Sequence, residues 1–175
     1  MEIVVEGAPG LIVDAVSGNV DWSYAPGFGP QIATGDTAAG GHWLATTGPM
    51  SNVVTIYSTS PFATSWTIPL SSSNIGLRQM TAHDSNGDGT DELLVAGSFY
   101  VGPLQSIDEL RIYDIATQAV LGAEPIKPYG VVRQLVALPG RSSNLPEVAV
   151  TYANQFPAYV VATFTHPFGL PDEGR

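Results

Sequence analysis

The segment from His83 to Gly97, HDSNGDGTDELLVAG, decides how the rest of the chain is interpreted. It places four carboxylates between Asp84 and Glu92 and then becomes apolar without a break. Carboxylates held this close repel one another unless a positive charge lies among them. The segment therefore predicts a cation-binding loop that leads directly into a buried strand.

The spacing D-x-N-x-D-G-x-x-E within this segment suits a hard cation. Three polar residues at alternate positions can turn their oxygens inward in a tight curl, and Gly87 and Gly89 supply the backbone freedom that the curl needs. Oxygen ligands completed by water favour Ca²⁺, which tolerates irregular geometry better than Mg²⁺ does. The predicted calcium ligands are Asp84, Asn86, Asp88, the Thr90 carbonyl and Glu92.

An EF-hand shares the opening of this pattern but needs a glutamate at the twelfth position and a helix after it. The twelfth residue here is Val95, and the segment ELLVAG is strand-like, so the EF-hand is excluded. An acidic, solvated turn without an ion is the alternative. In the calcium loop we expect Asp91 to point away from the ion and to stay solvated.

Short runs rich in β-branched and aromatic residues, bounded by Gly, Pro, Asn or Ser, recur along the whole chain. We identify roughly fourteen candidate strands. Helical periodicity is hard to find; the segment SIDELRIYDIAT is a possible helix but also reads as a strand from Asp108 to Asp114. The sequence therefore predicts an all-β protein.

The segment that follows the acidic loop is repeated. ELLVAGSFY from Glu92 matches EIVVEGAPG from Glu2 and EVAVTYANQ from Glu147, and HWLATTGPM from His42 is a weaker copy. A second strand follows each copy, and LIVDAVSGNV matches LRIYDIATQAV. A period of about 45 residues with four short strands per unit is typical of propeller blades, which stack to cover their apolar faces.

We therefore predict a β-propeller of four-stranded antiparallel blades, with a β-sandwich as the alternative fold. The predicted repeat units are approximately residues 1–30, 31–76, 77–130 and 131–169, followed by a tail at 170–175. The units amount to about three and a half blades. That number predicts a fragment of a longer ring, closure by a second copy, or a blade shared between the terminal strands.

The stretch DSNGDGTDELLVAGS resembles the calcium loop and following strand of FG-GAP/VCBS-type repeats, which occur in integrin α-subunit propellers and many bacterial surface proteins. The resemblance implies the same five ligands, with Glu92 where integrin-type loops usually carry aspartate. Other copies have lost most of the calcium ligands. GDTAAGGHWL retains only Asp36, whereas PGRSSNLPEV retains only Glu147 and has Arg141 where an ion would lie. A single ion implies a structural staple.

The segment DAVSGNVDWSYAPG is similar to quinoprotein-type propeller repeats through Asp14, Gly18 and Trp22. The quinone-binding residues of those dehydrogenases are not recognisable. The three histidines lack metal-ligand spacing with one another, and neither a nucleophile elbow nor a phosphate-binding loop is present. We therefore predict no catalytic and no cofactor-binding residues.

The net charge of −10 argues against binding of nucleic acid or anionic membranes. No apolar run approaches the ~18 residues of a membrane span. The chain has no cysteine, which excludes disulfides and thiol catalysis. Its first residues lack the features of a secretory signal, whereas the family resemblance implies an extracellular or cell-surface location.

The expected function is a calcium-stabilised scaffold for binding or adhesion that holds a protein or glycan on the ring face. The alternative is part of a propeller enzyme, either a quinoprotein-type dehydrogenase or a polysaccharide-active domain, with an active site on the axis. Either a homo-oligomer or the remaining blades of a longer chain would complete the ring.

Overall fold

Fourteen β-strands and no helix form in the part of the chain that the computed structural model describes, residues 2–48, 52–59, 62–71, 79–103, 105–125, 131–138, 147–153 and 159–165. The predicted all-β class is confirmed. In chain order the strands are β1 (Glu2–Val5), β2 (Gly10–Asp14), β3 (Val20–Tyr24), β4 (Ile32–Asp36), β5 (His42–Thr47), β6 (Val53–Thr59), β7 (Phe62–Pro69), β8 (Gln79–His83), β9 (Glu92–Gly102), β10 (Gln105–Tyr113), β11 (Val120–Pro125), β12 (Val131–Leu138), β13 (Glu147–Ala153) and β14 (Tyr159–Thr165).

These strands form four antiparallel sheets, each a meander of consecutive strands. Sheet 1 has the order β1-β2-β3, sheet 2 β4-β5-β6-β7, sheet 3 β8-β9-β10-β11 and sheet 4 β12-β13-β14. The segment SIDELRIYDIAT, which also reads as a helix, is strand as far as Tyr113 and then enters the turn between β10 and β11. The predicted tail at 170–175 and Arg141 lie outside the described residues.

Apolar side chains hold neighbouring sheets face to face. Sheets 1 and 2 share a core around Ile12, Leu44 and Tyr57. Trp22 belongs to this contact, because its ring lies 3.7 Å from that of Phe62 and 5.8 Å from that of Phe28, measured between centroids. Packing between two sheets therefore explains the tryptophan of the quinoprotein-like segment.

A larger core joins sheets 2 and 3. Its members are Ala33, Trp43, Ala45, Val54, Ile56, Ile68, Leu70, Met80, Leu93, Val95, Phe99 and Tyr113. In β9, Leu93 and Val95 face this core, while Leu94 and Ala96 on the opposite face are also almost completely buried. Both faces of β9 are covered, so its apolar run after Glu92 is continuous rather than alternating.

The first strands of sheets 2, 3 and 4 lie next to one another, because β8 contacts both β4 and β12. They belong to separate sheets and are not joined by a hydrogen-bonded ladder. Within the described residues the sheets form neither a closed barrel nor a closed propeller, and their number differs from that of a two-sheet sandwich. No described helix is long and apolar enough to cross a membrane.

The turn between β2 and β3 is built on one aspartate. The Asp14 carboxylate accepts hydrogen bonds from the backbone N–H groups of Val16, at 2.9 Å, and Ser17, at 2.6 Å. These bonds from Ser17 and Val16 lower the pKa of Asp14. Gly18 donates its N–H to the Asp14 carbonyl and has a φ of 73°, in the left-handed region that glycine adopts without strain.

The turn between β10 and β11 has the same construction. The Asp114 carboxylate accepts the N–H of Thr117 at 2.8 Å, and Gln118 donates its N–H to the Asp114 carbonyl at 2.9 Å. Gln118 has a φ of 62° and occupies the place that Gly18 has in the other turn. A side chain in this conformation is strained. The two turns therefore differ in one strained residue.

We predict that Gln118→Gly raises the free energy of unfolding by about 0.5–1 kcal/mol, because relief of left-handed strain exceeds the added chain entropy of glycine. Gly18→Ala is the matched control and should lower the free energy of unfolding by about 1 kcal/mol, because it places a side chain in the left-handed conformation. The added Cβ would meet no other atom within 4 Å, so backbone strain alone accounts for the change. Urea unfolding of the three proteins measures both changes. Destabilisation by Gln118→Gly would contradict the assignment.

Candidate metal centre

The acidic loop connects β8 to β9 at one end of sheet 3. The ladder between these strands closes with His83 opposite Glu92, and the loop bulges from this pair. Gly87 and Gly89 have φ values of 79° and 85°, which side-chain-bearing residues rarely adopt. The two glycines therefore allow the loop to curl tightly, as the sequence predicts.

The Asp84 carboxylate is the centre around which the loop folds. Its Oδ1 accepts the N–H groups of Gly87, at 2.7 Å, and Asp88, at 3.1 Å, and its Oδ2 accepts that of Gly89, at 2.9 Å. Three backbone dipoles thus point at one carboxylate. They fix the position of Asp84 and partly balance its charge.

Asn86 and Asp88 continue the curl toward the strand. The Asn86 Oδ1 accepts the N–H of Asp88, and the Asp88 Oδ1 accepts the N–H of Thr90, both at 2.8 Å. The Asn86 amide Nδ2 donates to Asp88 Oδ2 at 3.0 Å and to Glu92 Oε1 at 2.9 Å. The positive end of an amide dipole therefore lies between two carboxylates.

Glu92 is the buried member of the set, with 2% of its surface exposed. Its Oε2 accepts hydrogen bonds from the backbone N–H of Ser85, at 2.6 Å, and from the Ser85 hydroxyl. Burial raises the pKa of Glu92, the two bonds from Ser85 lower it, and the charges of Asp88 and Asp84 raise it further. A buried carboxylate beside two others is costly unless positive charge compensates it.

No described cationic side chain supplies that compensation. The one lysine or arginine whose side chain the structure describes is Arg111, on β10. Arg111 bonds to Glu109 at 2.7 Å and lies 4.0 Å above the centre of the Phe99 ring. Within the described residues, the acidic loop therefore forms no ion pair with a lysine or arginine.

The chemistry of the donors fits calcium, whereas their arrangement fits it in part. The loop offers hard oxygen atoms and no nitrogen or sulfur donor suited to zinc. Hydrogen bonds join Asp84 to Asp88, and Asn86 to both Asp88 and Glu92. However, no three His, Cys, Asp or Glu side chains among the described residues converge on one point as a metal site. The five ligands therefore remain a prediction.

The expectation that Asp91 stays solvated is met only in part, because this half-buried residue bonds to the neighbouring sheet. Its Oδ2 accepts the backbone N–H of Asp36 at 2.8 Å, and its own N–H donates to the Asp36 carbonyl at 2.9 Å. Next to it, the Thr90 hydroxyl accepts the N–H of Ala38 at 3.1 Å. These three bonds join the acidic loop of sheet 3 to the turn between β4 and β5 in sheet 2. The partners are 55 residues apart, so no local pattern reveals them.

The weaker repeat is aligned one residue away from the sequence match of His42 with Glu92. Leu44 faces the sheet that precedes its own, sheet 1, and Leu93 likewise faces sheet 2. Side chains alternate between the faces of a strand, so the true alignment differs from the sequence match by an odd number of residues. Trp43 pairs with Gly35, the residue before Asp36, and Glu92 pairs with His83, the residue before Asp84, so Trp43 corresponds to Glu92. An indole therefore occupies the position of the buried carboxylate.

Gly35 makes this replacement possible. A Cβ atom at Gly35 would overlap the indole of Trp43, which lies directly against the backbone there. Asp36, the remaining acidic residue of the turn, bonds through Oδ1 to His42 Nδ1 at 2.6 Å. The turn between β4 and β5 has thus replaced its acidic chemistry with an aromatic ring and a histidine partner.

Loss of the Asp91 carboxylate should weaken the contact between sheets 2 and 3. We predict that Asp91→Ala lowers the free energy of unfolding by about 1–2 kcal/mol, since hydrogen bonds to charged groups contribute about 1.5–3 kcal/mol and this one is partly solvated. Asp91→Asn keeps an acceptor oxygen and should lose less. Urea unfolding compares the three proteins, and equal stability of all three would show that the contact is not formed.

The raised pKa of Glu92 should make the stability of the folded protein depend on pH when chelator keeps metal ions away. The folded state holds this proton more tightly than the unfolded state, so the contribution of Glu92 to stability should fall as pH rises through its raised pKa. Glu92→Gln should remove this component. We therefore predict, in chelator, that Glu92→Gln gains stability relative to the parent as pH rises from 4.5, the ordinary pKa of a glutamate, toward neutrality. A constant difference in melting temperature across that range would contradict this.

Comparison of this chain with family models and with curated proteins found no match in either case. The resemblance to FG-GAP/VCBS-type repeats therefore rests on the loop and strand residues themselves.

Proposed function

We propose that the chain is a calcium-stabilised β-propeller segment of FG-GAP/VCBS type that serves as a scaffold for binding a protein or glycan, at the cell surface or outside the cell. The observation that carries this proposal is the buried Glu92 carboxylate, which lies beside Asp84 and Asp88 without a described cationic partner.

The sheet arrangement supports the propeller. Each sheet is a meander, sheets 1, 2 and 3 pack face to face in chain order, and the first strands of sheets 2, 3 and 4 are neighbours. Propeller blades share these features, because first strands line the axis and sheet faces cover one another. A ring of such blades would need further sheets from a longer chain or a second copy.

The donor set of the acidic loop supports calcium. Asp84, Asn86, Asp88, the Thr90 carbonyl and Glu92 would hold the ion, which would supply the positive charge that hydrogen-bond donors of the loop provide only in part. Asp91 and Thr90 of the same loop bond to sheet 2. Fixing the loop would thus also fix the contact between two sheets, which is the role of a structural ion.

The distribution of burial supports a scaffold. The central strands β5 and β9 are buried, while most described connections between strands are exposed, apart from the one that contains Phe28, and binding residues are usually found on such exposed connections. A net charge of −10 favours cationic partners and repels nucleic acid. Calcium would hold the loops in place without taking part in chemistry.

We predict that calcium raises the melting temperature of this chain. At about 100 times its dissociation constant, a ligand that binds only the folded state adds about 2.7 kcal/mol, which is roughly 5–10 °C for a domain of this size. Asp88→Ala should abolish the calcium response. Asp21→Ala, an exposed aspartate on β3 outside the loop, is the matched control and should keep it.

Scanning calorimetry in excess chelator and in excess calcium measures these shifts, and magnesium at equal concentration tests the preference for the larger ion. Retention of the full calcium response by Asp88→Ala would overturn the ligand assignment.

The scaffold role is tested by binding to an immobilised panel of glycans and extracellular proteins. Binding that chelator abolishes would support it, and turnover of a polysaccharide would contradict it.

A further inference from the structure

The curl of the acidic loop contains an asparagine that is followed by glycine, Asn86–Gly87, and no other asparagine of the chain precedes a glycine. Both residues are exposed to solvent. A Cβ atom at Gly87 would meet no other atom within 4 Å, so the space around this part of the backbone is open. The side-chain carbonyl carbon of Asn86 and the backbone nitrogen of Gly87 therefore have room to approach each other.

Hydrogen bonds place useful groups beside these two atoms. The Gly87 N–H points at Asp84 Oδ1, at 2.7 Å, so a carboxylate lies where it can receive that hydrogen. The Asn86 Oδ1 accepts the N–H of Asp88 at 2.8 Å, a bond that stabilises negative charge on this oxygen during attack on its carbon. The loop thus holds a nucleophile, an acceptor for its hydrogen and a donor to the carbonyl oxygen together.

We propose that Asn86 is a site of spontaneous deamidation in the metal-free protein. The Gly87 nitrogen bonds to Cγ of Asn86, the bond between Cγ and Nδ2 breaks, and the Gly87 hydrogen leaves with Nδ2 as ammonia. Water then adds to the imide ring and opens it at either carbonyl, which gives aspartate or isoaspartate. The two steps consume one water molecule and need neither an oxidant nor a reductant.

The modification changes the loop at the amide that lies between two carboxylates. Asn86 Nδ2 donates to Asp88 Oδ2 at 3.0 Å and to Glu92 Oε1 at 2.9 Å. A carboxylate in place of this amide removes both bonds and adds a negative charge that its neighbours repel. Isoaspartate also lengthens the backbone of a tightly bonded curl. Deamidation therefore loosens the loop that Asp91 joins to sheet 2.

Calcium would protect Asn86, a consequence that rests on the proposed function. The ion would hold the oxygens of Asp84 and Asn86, so the carboxylate could not receive the hydrogen and the side chain could not turn toward the backbone. Where only the metal-free protein reacts, calcium at about 100 times its dissociation constant leaves about 1% of the chains reactive and slows conversion by up to about 100-fold. The loop would then record the time that it spends without its ion.

Peptide mass mapping of the intact chain after incubation measures the reaction. The protein is kept in mildly alkaline buffer with chelator or with calcium, and digests taken at intervals give the fraction of Asn86 in which OH has replaced NH₂. Asn19 is the internal control, because it is also exposed but precedes Val20, whose branched side chain crowds the attacking nitrogen. In chelator we expect Asn86 to convert about tenfold faster than Asn19 or more.

Two variants test the site and its effect on the loop. Asn86→Gln retains an amide but has to close a larger ring, so conversion at this position should slow by about tenfold or more. Asn86→Asp reproduces the aspartate product and should melt roughly 2–4 °C below the parent in chelator. Equal rates at Asn86 and Asn19 would overturn the deamidation site. An Asn86→Asp protein that melts with the parent would overturn the loosening of the loop.

The calcium melt on the same samples separates this inference from the proposed function. Fast conversion of Asn86 in both media, together with a melting temperature that calcium does not change, overturns the calcium site and leaves the deamidation site standing. A melting temperature that calcium raises, together with an Asn86 that does not convert in chelator, overturns the deamidation site alone.

Discussion

The burial of one carboxylate at the start of β9 is the constraint on which the acidic loop depends. Glu92 begins a strand whose two faces are both covered, so its side chain cannot reach solvent as a surface glutamate does. The loop meets this demand with two bonds from Ser85 and one from the Asn86 amide. Because Asp84 and Asp88 add negative charge, hydrogen bonding alone leaves the site short of positive charge. A hard cation is the partner that its oxygen donors suit.

The same loop also connects two sheets, so its local geometry has consequences beyond sheet 3. Asp91 exchanges hydrogen bonds with the backbone of Asp36, and Thr90 accepts one from Ala38. The apolar core between sheets 2 and 3 is non-directional and leaves some freedom to slide. Directional bonds at one end remove that freedom. A feature read as an ion-binding loop therefore serves equally as the link that sets the relative position of two sheets.

The repeats show how one backbone plan accepts different side chains. Asp14 and Asp114 build the same turn, although one contains glycine and the other a strained glutamine. At the position of Glu92, sheet 2 carries Trp43, and Gly35 provides space for its ring. The replacement exchanges buried charge for buried apolar surface, which needs no ion. Sheets of one kind can thus differ in whether they bury a carboxylate at this position.

The sequence by itself determined the all-β class, the strand that follows the acidic loop and the curl at Gly87 and Gly89, because alternation, glycine and turn residues act over a few neighbours. It also grouped the loop oxygens, since they are adjacent in the chain. Tertiary structure alone decided that Asp91 bonds to a turn 55 residues away and that Trp43 rather than His42 corresponds to Glu92. These features depend on which faces and edges meet, and contacts between distant segments leave no periodic trace in a single sequence.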